Sequence, residues 1–162
     1  MKFLVDAPLG GLAKWLRFLG FDADGAVFKP GALPPPLQGT VLLTVNRRLA
    51  NLDRPDVLVL TGREKEAQLQ EVCRRLGLSW RGLKPLSRCV RCNRPLADLP
   101  REEARSRVPE HIYLTQKAFF VCPACNRVYW PGSHLAGITR TLDEVMGCTP
   151  PGGGPSSTRS SS

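Results

Sequence analysis

Four of the six cysteines stand in two copies of one pattern, Cys89-Val-Arg-Cys92-Asn-Arg and Cys122-Pro-Ala-Cys125-Asn-Arg. Two thiolates separated by two residues can meet one metal ion from a tight turn, and two such turns facing each other supply the four sulfurs of a tetrahedral zinc site. The asparagine after each pair, Asn93 and Asn126, can adopt the left-handed backbone conformation that such a turn needs. Four thiolates leave no open coordination position. Cys89, Cys92, Cys122 and Cys125 are therefore expected to hold a structural zinc, not a catalytic one. Disulfides fit less well, because a disulfide framework belongs to secreted chains. Asp6, Lys14 and Arg17 interrupt the only early apolar stretch, which argues against a signal peptide. A redox CxxC would open a helix after a strand, which neither pair does. His111 and His134 are not needed as ligands. Cysteine usage of this kind points to a reducing cytoplasm.

The second chemical candidate is Asp6. It ends the apolar run of residues 3–5 and is followed by Ala-Pro and a pair of glycines. A carboxylate there is either a ligand of a divalent metal, joined by other carboxylates, or a polar group that hydrogen-bonds the start of the first helix. No carboxylate occurs between Ala26 and Asn51, while Asp22 and Asp24 lie on one side of that gap and Asp53 on the other.

The formal net charge is +9. It is shared between the halves: +5 over residues 1–85, from 13 basic and 8 acidic residues, and +4 over residues 86–162, from 10 and 6. A basic surface over both parts suits a polyanion, since each neutralised phosphate releases counterions. No run of about 18 apolar residues is present to span a bilayer.

Alternating strands and helices must position these residues. Residues 2–7, 40–46 and 55–62 read as strands too apolar for exposed edges, which predicts an α/β fold with a parallel sheet covered on both faces by helices. Leu9, Leu12, Leu16 and Leu19 recur at helical spacing before Gly20, with Lys14 and Arg17 on the opposite face. Thr61 and Glu64 are spaced as a capping box for a helix whose stripe is Leu69, Val72, Cys73 and Leu76, making Cys73 a core residue. Three consecutive prolines, 34–36, enforce a loop. Arg101, Arg105 and Arg107 belong to a solvated helical turn, and Tyr129 and Trp130 either stack on bases or close a small core. The organisation expected is an α/β domain over residues 1–85, a zinc ribbon with a C-terminal helix over 86–146, and a disordered Gly/Pro/Ser tail over 147–162.

Four segments together resemble the Mut-seven C-terminal ribonuclease domain family, a PIN-like nuclease fold with an appended zinc ribbon: residues 1–22, residues 41–50, the first CxxC, and the second CxxC running on to Trp130, Gly132, Ser133 and His134. The resemblance implies a parallel sheet sandwiched by helices, followed by a small zinc ribbon with four cysteine ligands. It also implies a ribonuclease using Mg²⁺ or Mn²⁺ held by carboxylates at the carboxyl ends of the strands. Asp6 matches the family's first acidic position. Where the family has Thr-Arg-Asp, this chain has Thr44, Val45 and Asn46, so one charged ligand has become an amide. Asp6 and Asn46 are then the catalytic candidates of a weakened acidic centre, with Asp22 or Asp24 available to supply a further oxygen. Lys14, Arg17 and Arg47 are the candidates for holding RNA. The alternatives are a non-catalytic RNA-binding or ribosome-associated zinc-ribbon protein and an interaction adaptor built on the ribbon.

Overall fold

The computed structural model describes residues 1–78 and 83–146; the tail expected to be disordered lies outside them. Strand β1 (Lys2–Asp6) leads through a 3-10 turn (Ala7–Leu9) into helix α1 (Gly10–Phe18), followed by β2 (Asp22–Ala26), β3 (Thr40–Thr44), a second 3-10 turn (Arg47–Leu49), β4 (Val57–Val59) and α2 (Lys65–Leu76). The four strands form one parallel sheet in the order β2-β1-β3-β4. Its carboxyl edge carries Asp6, Ala26 and Thr44, and its amino edge carries Lys2 and Asp22.

Side chains alternate across a pleated sheet, so Phe3, Val5, Ala23, Leu43 and Leu58 share one face. That face packs under α1 and α2 through Leu12, Leu16, Leu69 and Val72. The parallel α/β class expected from the sequence is the one observed, but the second face is covered differently. Leu42 there, with Leu4, Val57 and Val59, packs on Phe28, Leu33 and Leu49, which come from the proline-rich loop and the second 3-10 turn. Consecutive prolines bar an α-helix from that segment. β2 was invisible to pattern reading because Asp-Ala-Asp-Gly-Ala has little strand propensity; pairing with β1 imposes it.

The capping box does not form. α2 begins only at Lys65, with Glu64 as its cap residue and no side-chain cap bond. The Gln68 amide instead donates to Gly62 O at 3.0 Å, and the Glu71 carboxylate accepts from Thr61 N at 2.9 Å. A Cβ on Gly62 would meet Gln68 N at 2.9 Å. Cys73 is core, as expected, and burial pushes its thiol up to about 11.

Beyond residue 83 follow β5 (Ala97–Asp98), α3 (Arg101–Ala104), α4 (Glu110–Thr115), β6 (Phe120–Val121), β7 (Val128–Tyr129) and α5 (Ser133–Met146). β5, β6 and β7 make a small antiparallel sheet around Leu99, Ala104 and Phe119. This module sits directly on the parallel sheet, because Leu86 enters the main core and Val90, Phe120 and Tyr129 pack against it. Gly20, at φ +95°, lets the two parts approach: a Cβ there would lie 2.6 Å from Lys84 O.

Candidate functional site

The four knuckle cysteines converge. Their Sγ atoms all lie within 4.8 Å of one another, with Cys89 and Cys122 buried and Cys92 and Cys125 half-buried. Cys89 Sγ and Cys125 Sγ are 3.7 Å apart. Four sulfurs held about 2.3 Å from one zinc stand about 3.8 Å from each other, so the residues fit that ion, whereas a disulfide needs about 2.05 Å. All four are free thiols. Cys89 Sγ is also approached by Cys92 N–H at 3.3 Å and the Tyr129 hydroxyl at 3.0 Å, both able to donate to a thiolate.

The first knuckle is fastened to the parallel sheet through buried Asn93. Its amide nitrogen donates to Asp22 Oδ1 at 2.7 Å and Asp24 Oδ1 at 2.8 Å, and its carbonyl oxygen accepts from Ala23 N at 3.1 Å. Lys2 Nζ lies 2.8 Å from Asp24. The Lys2 hydrogen bond, assisted by Asn93, holds the Asp24 carboxyl below its ordinary range. Arg17 completes the joint, its guanidinium donating to Ala23 O at 2.7 Å and to Val90 O and Arg91 O at 3.0 Å each.

At the carboxyl edge, Asp6 is only 6% exposed. Its Oδ1 accepts from Ala7 N at 3.0 Å, capping the first 3-10 turn, and from Phe28 N at 3.3 Å. Its Oδ2 accepts from the Thr44 hydroxyl at 2.6 Å. The same hydroxyl accepts from Asn46 N at 3.1 Å, and Asn46 Oδ1 caps the second turn through Arg48 N at 3.1 Å.

Set against known protein families, residues 1–142 match the Mut7-C RNAse domain. The chain belongs to the Mut7-C RNAse domain family. No curated protein and no solved structure matches it. In this Mut7-C chain the donor set at the ends of β1 and β3 does not suit a rigid Mg²⁺ or Mn²⁺ site: the Asp6 carboxylate has both oxygens engaged and little exposure, and the Asn46 amide oxygen is already used as a cap. Asp22 and Asp24, expected to add an oxygen, instead accept from the Asn93 amide, and Asp24 also pairs with Lys2. In the parallel register Asp22 pairs with Lys2 and Ala26 with Asp6, so Asp22 lies four residues, roughly 13 Å, from the Asp6 edge.

The basic candidates separate. Lys14 is exposed on α1 and Arg47 on the second turn, while Arg17 spends its guanidinium on three backbone carbonyls rather than facing solvent freely. Arg101 and Arg107 are likewise tied inside the Mut7-C ribbon, Arg101 to Tyr113 O and Gln116 O and Arg107 to Asn126. Tyr129 and Trp130 are both half-buried, packing on the main and the ribbon core respectively. The Ser133 and His134 side chains lie outside the described residues. Sequence reasoning missed Thr44 as the partner of Asp6, Asn93 as a staple and Lys65 as a neighbour of Trp15, whose ring lies 5.3 Å from the ammonium. Only Asn93 carried a signal, as the turn asparagine of its knuckle.

Proposed function

We propose that this Mut7-C protein is a cytoplasmic RNA-binding protein that holds RNA by charge and zinc-ribbon contacts and has no working divalent-metal centre. The observation that carries this is Asp6, whose carboxylate closes the fold between Ala7 N, Phe28 N and the Thr44 hydroxyl. Ligands of open α/β sheets gather at the carboxyl edge of the strands. Just past the ends of β3 and β4 this chain sets exposed Arg47, Arg48, Arg63 and Lys65, alongside exposed Glu64. The +9 net charge and the ribonuclease family support a polyanionic partner. Free thiols at every described cysteine accord with a reducing compartment, and no helix among the described residues is long and apolar enough to cross a membrane.

A second reading, a slow ribonuclease in which Asp6 and Asn46 hold Mg²⁺ or Mn²⁺, is favoured by one feature: the two residues share the carboxyl edge, joined through Thr44. One experiment separates the two. Zinc-loaded protein is titrated with labelled RNA over a salt series, then incubated with RNA and Mn²⁺ beside Asp6→Asn, which keeps an acceptor for Ala7 and Phe28. We expect steeply salt-dependent binding and no Mn²⁺-dependent cleavage. Cleavage that disappears in Asp6→Asn would establish the ribonuclease.

A further inference from the structure

Between α1, the start of α2 and the zinc ribbon lies a groove of about 790 Å³, within the roughly 300–1,000 Å³ of small-ligand sites. Its wall from the parallel-sheet part includes Lys14, Trp15 and Lys65; its wall from the ribbon includes Gln116, Tyr129 and Trp130. Among the described lining residues the charged ones are the two lysines. The indole N–H groups of Trp15 and Trp130 and the Gln116 carboxamide make no hydrogen bond among the described residues. Tyr129 is held in place by its hydroxyl bond to Cys89 Sγ, and a Cβ on Gly132 would press on the Trp130 indole at 3.2 Å.

We propose that this groove takes unstacked nucleotides of single-stranded RNA, an assignment that rests on the RNA-binding reading above. Aromatic faces accept any base by stacking, and lysines beside them neutralise the backbone that links those bases. The free indole and carboxamide donors meet base edges, which a duplex keeps inside its stack. Among the described lining residues a peptide would find two cations and no carboxylate, so only an acidic one matches that charge. The Lys65 ammonium lies over the Trp15 ring, so a nucleotide that enters alongside that indole brings its phosphate to the cation.

The test uses the full, zinc-loaded chain and a short fluorescein-labelled single-stranded RNA of mixed sequence, with the duplex form and AMP as comparison ligands. Trp130→Leu should weaken single-strand binding about 10-fold or more at every salt concentration. Lys14→Gln with Lys65→Gln, both at exposed positions, should flatten the salt slope by about 0.7 per lysine. Intrinsic tryptophan fluorescence should fall as RNA is added, and duplex should bind more weakly. If the wild type binds RNA while these variants match it in affinity and slope, the groove is not the site and RNA binding stands elsewhere. No RNA binding by the wild type removes both proposals. AMP bound as tightly as the oligonucleotide would make the groove a free-nucleotide site and overturn the assignment.

Discussion

In the first knuckle Cys89 N–H donates to Arg94 O and Asn93 N–H to Cys89 O, each at 2.8 Å; in the second, the matching bonds from Cys122 to Arg127 and from Asn126 to Cys122 measure 2.9 and 2.8 Å. Asn93 and Asn126 have φ of 62° and 60°. Only the surroundings differ. Asn93 is buried against the amino edge of the sheet with Asp22, Asp24 and Ala23, whereas Asn126 is exposed and meets the Arg107 guanidinium at 2.7 Å. A repeated motif therefore specifies the turn and the sulfur positions, while its energetic weight comes from what packs on the asparagine.

The largest effect should come from breaking both knuckles together. A zinc held by the four thiolates would tie them, and the ribbon has a small core, so metal binding should supply much of that module's folding free energy. Stripping zinc with a chelator, or making either Cys92→Ser or Cys125→Ser, should lower stability by several kcal/mol, shifting Tm by more than about 10 °C. Because Asn93 joins the ribbon to the sheet, β1 and β2 amides should lose hydrogen-exchange protection as well. A ribbon that melts while those amides stay protected would show that the staple does not couple the two parts.

The asparagines sharpen the contrast at smaller cost. Asn93→Gly keeps the left-handed turn but leaves two carboxylates and an amide without this partner, and should cost about 3 kcal/mol. Asn126→Gly should change stability by no more than about 0.5 kcal/mol. Denaturant unfolding of the two variants decides the matter; equal losses would mean that burial around Asn93 contributes nothing.

The smallest effect is one of pH, and it is confined to the first knuckle. Lys2 and Asn93 favour ionised Asp24, so its carboxyl in the folded protein titrates below its unfolded value near 4. A depressed carboxyl contributes stability that is fully present above the unfolded pKa and lost as pH falls through the folded one. The gap in unfolding midpoint between wild type and Asp24→Asn should be constant from neutrality to about pH 5 and close below about pH 4. Because the comparison is between two zinc proteins, acid release of metal affects both. A gap that persists undiminished in acid would remove Asp24 from the joint.

Much of this protein was readable residue by residue. The CxxCNR pairs, the leucine stripe of α1 and the apolar runs of β1, β3 and β4 carry local signals, because a turn, a helix face and a buried strand are each selected by residues a few positions apart. Tertiary packing alone decided the rest. β2 is a strand only because β1 lies beside it, and its two aspartates meet the ribbon because the parallel register sets Asp22 at the edge opposite Asp6 and both carboxylates reach Asn93. Arg17 follows the pattern of a solvent-facing helix residue, but it reaches a carbonyl 73 residues away. Asp6 was legible as a carboxylate at a strand end; that its oxygens are taken depends on Thr44 and Phe28 arriving from two other segments. A side chain's chemistry is written in its own position, but the groups that satisfy it are delivered by chain packing across the sheet, which no local spacing encodes.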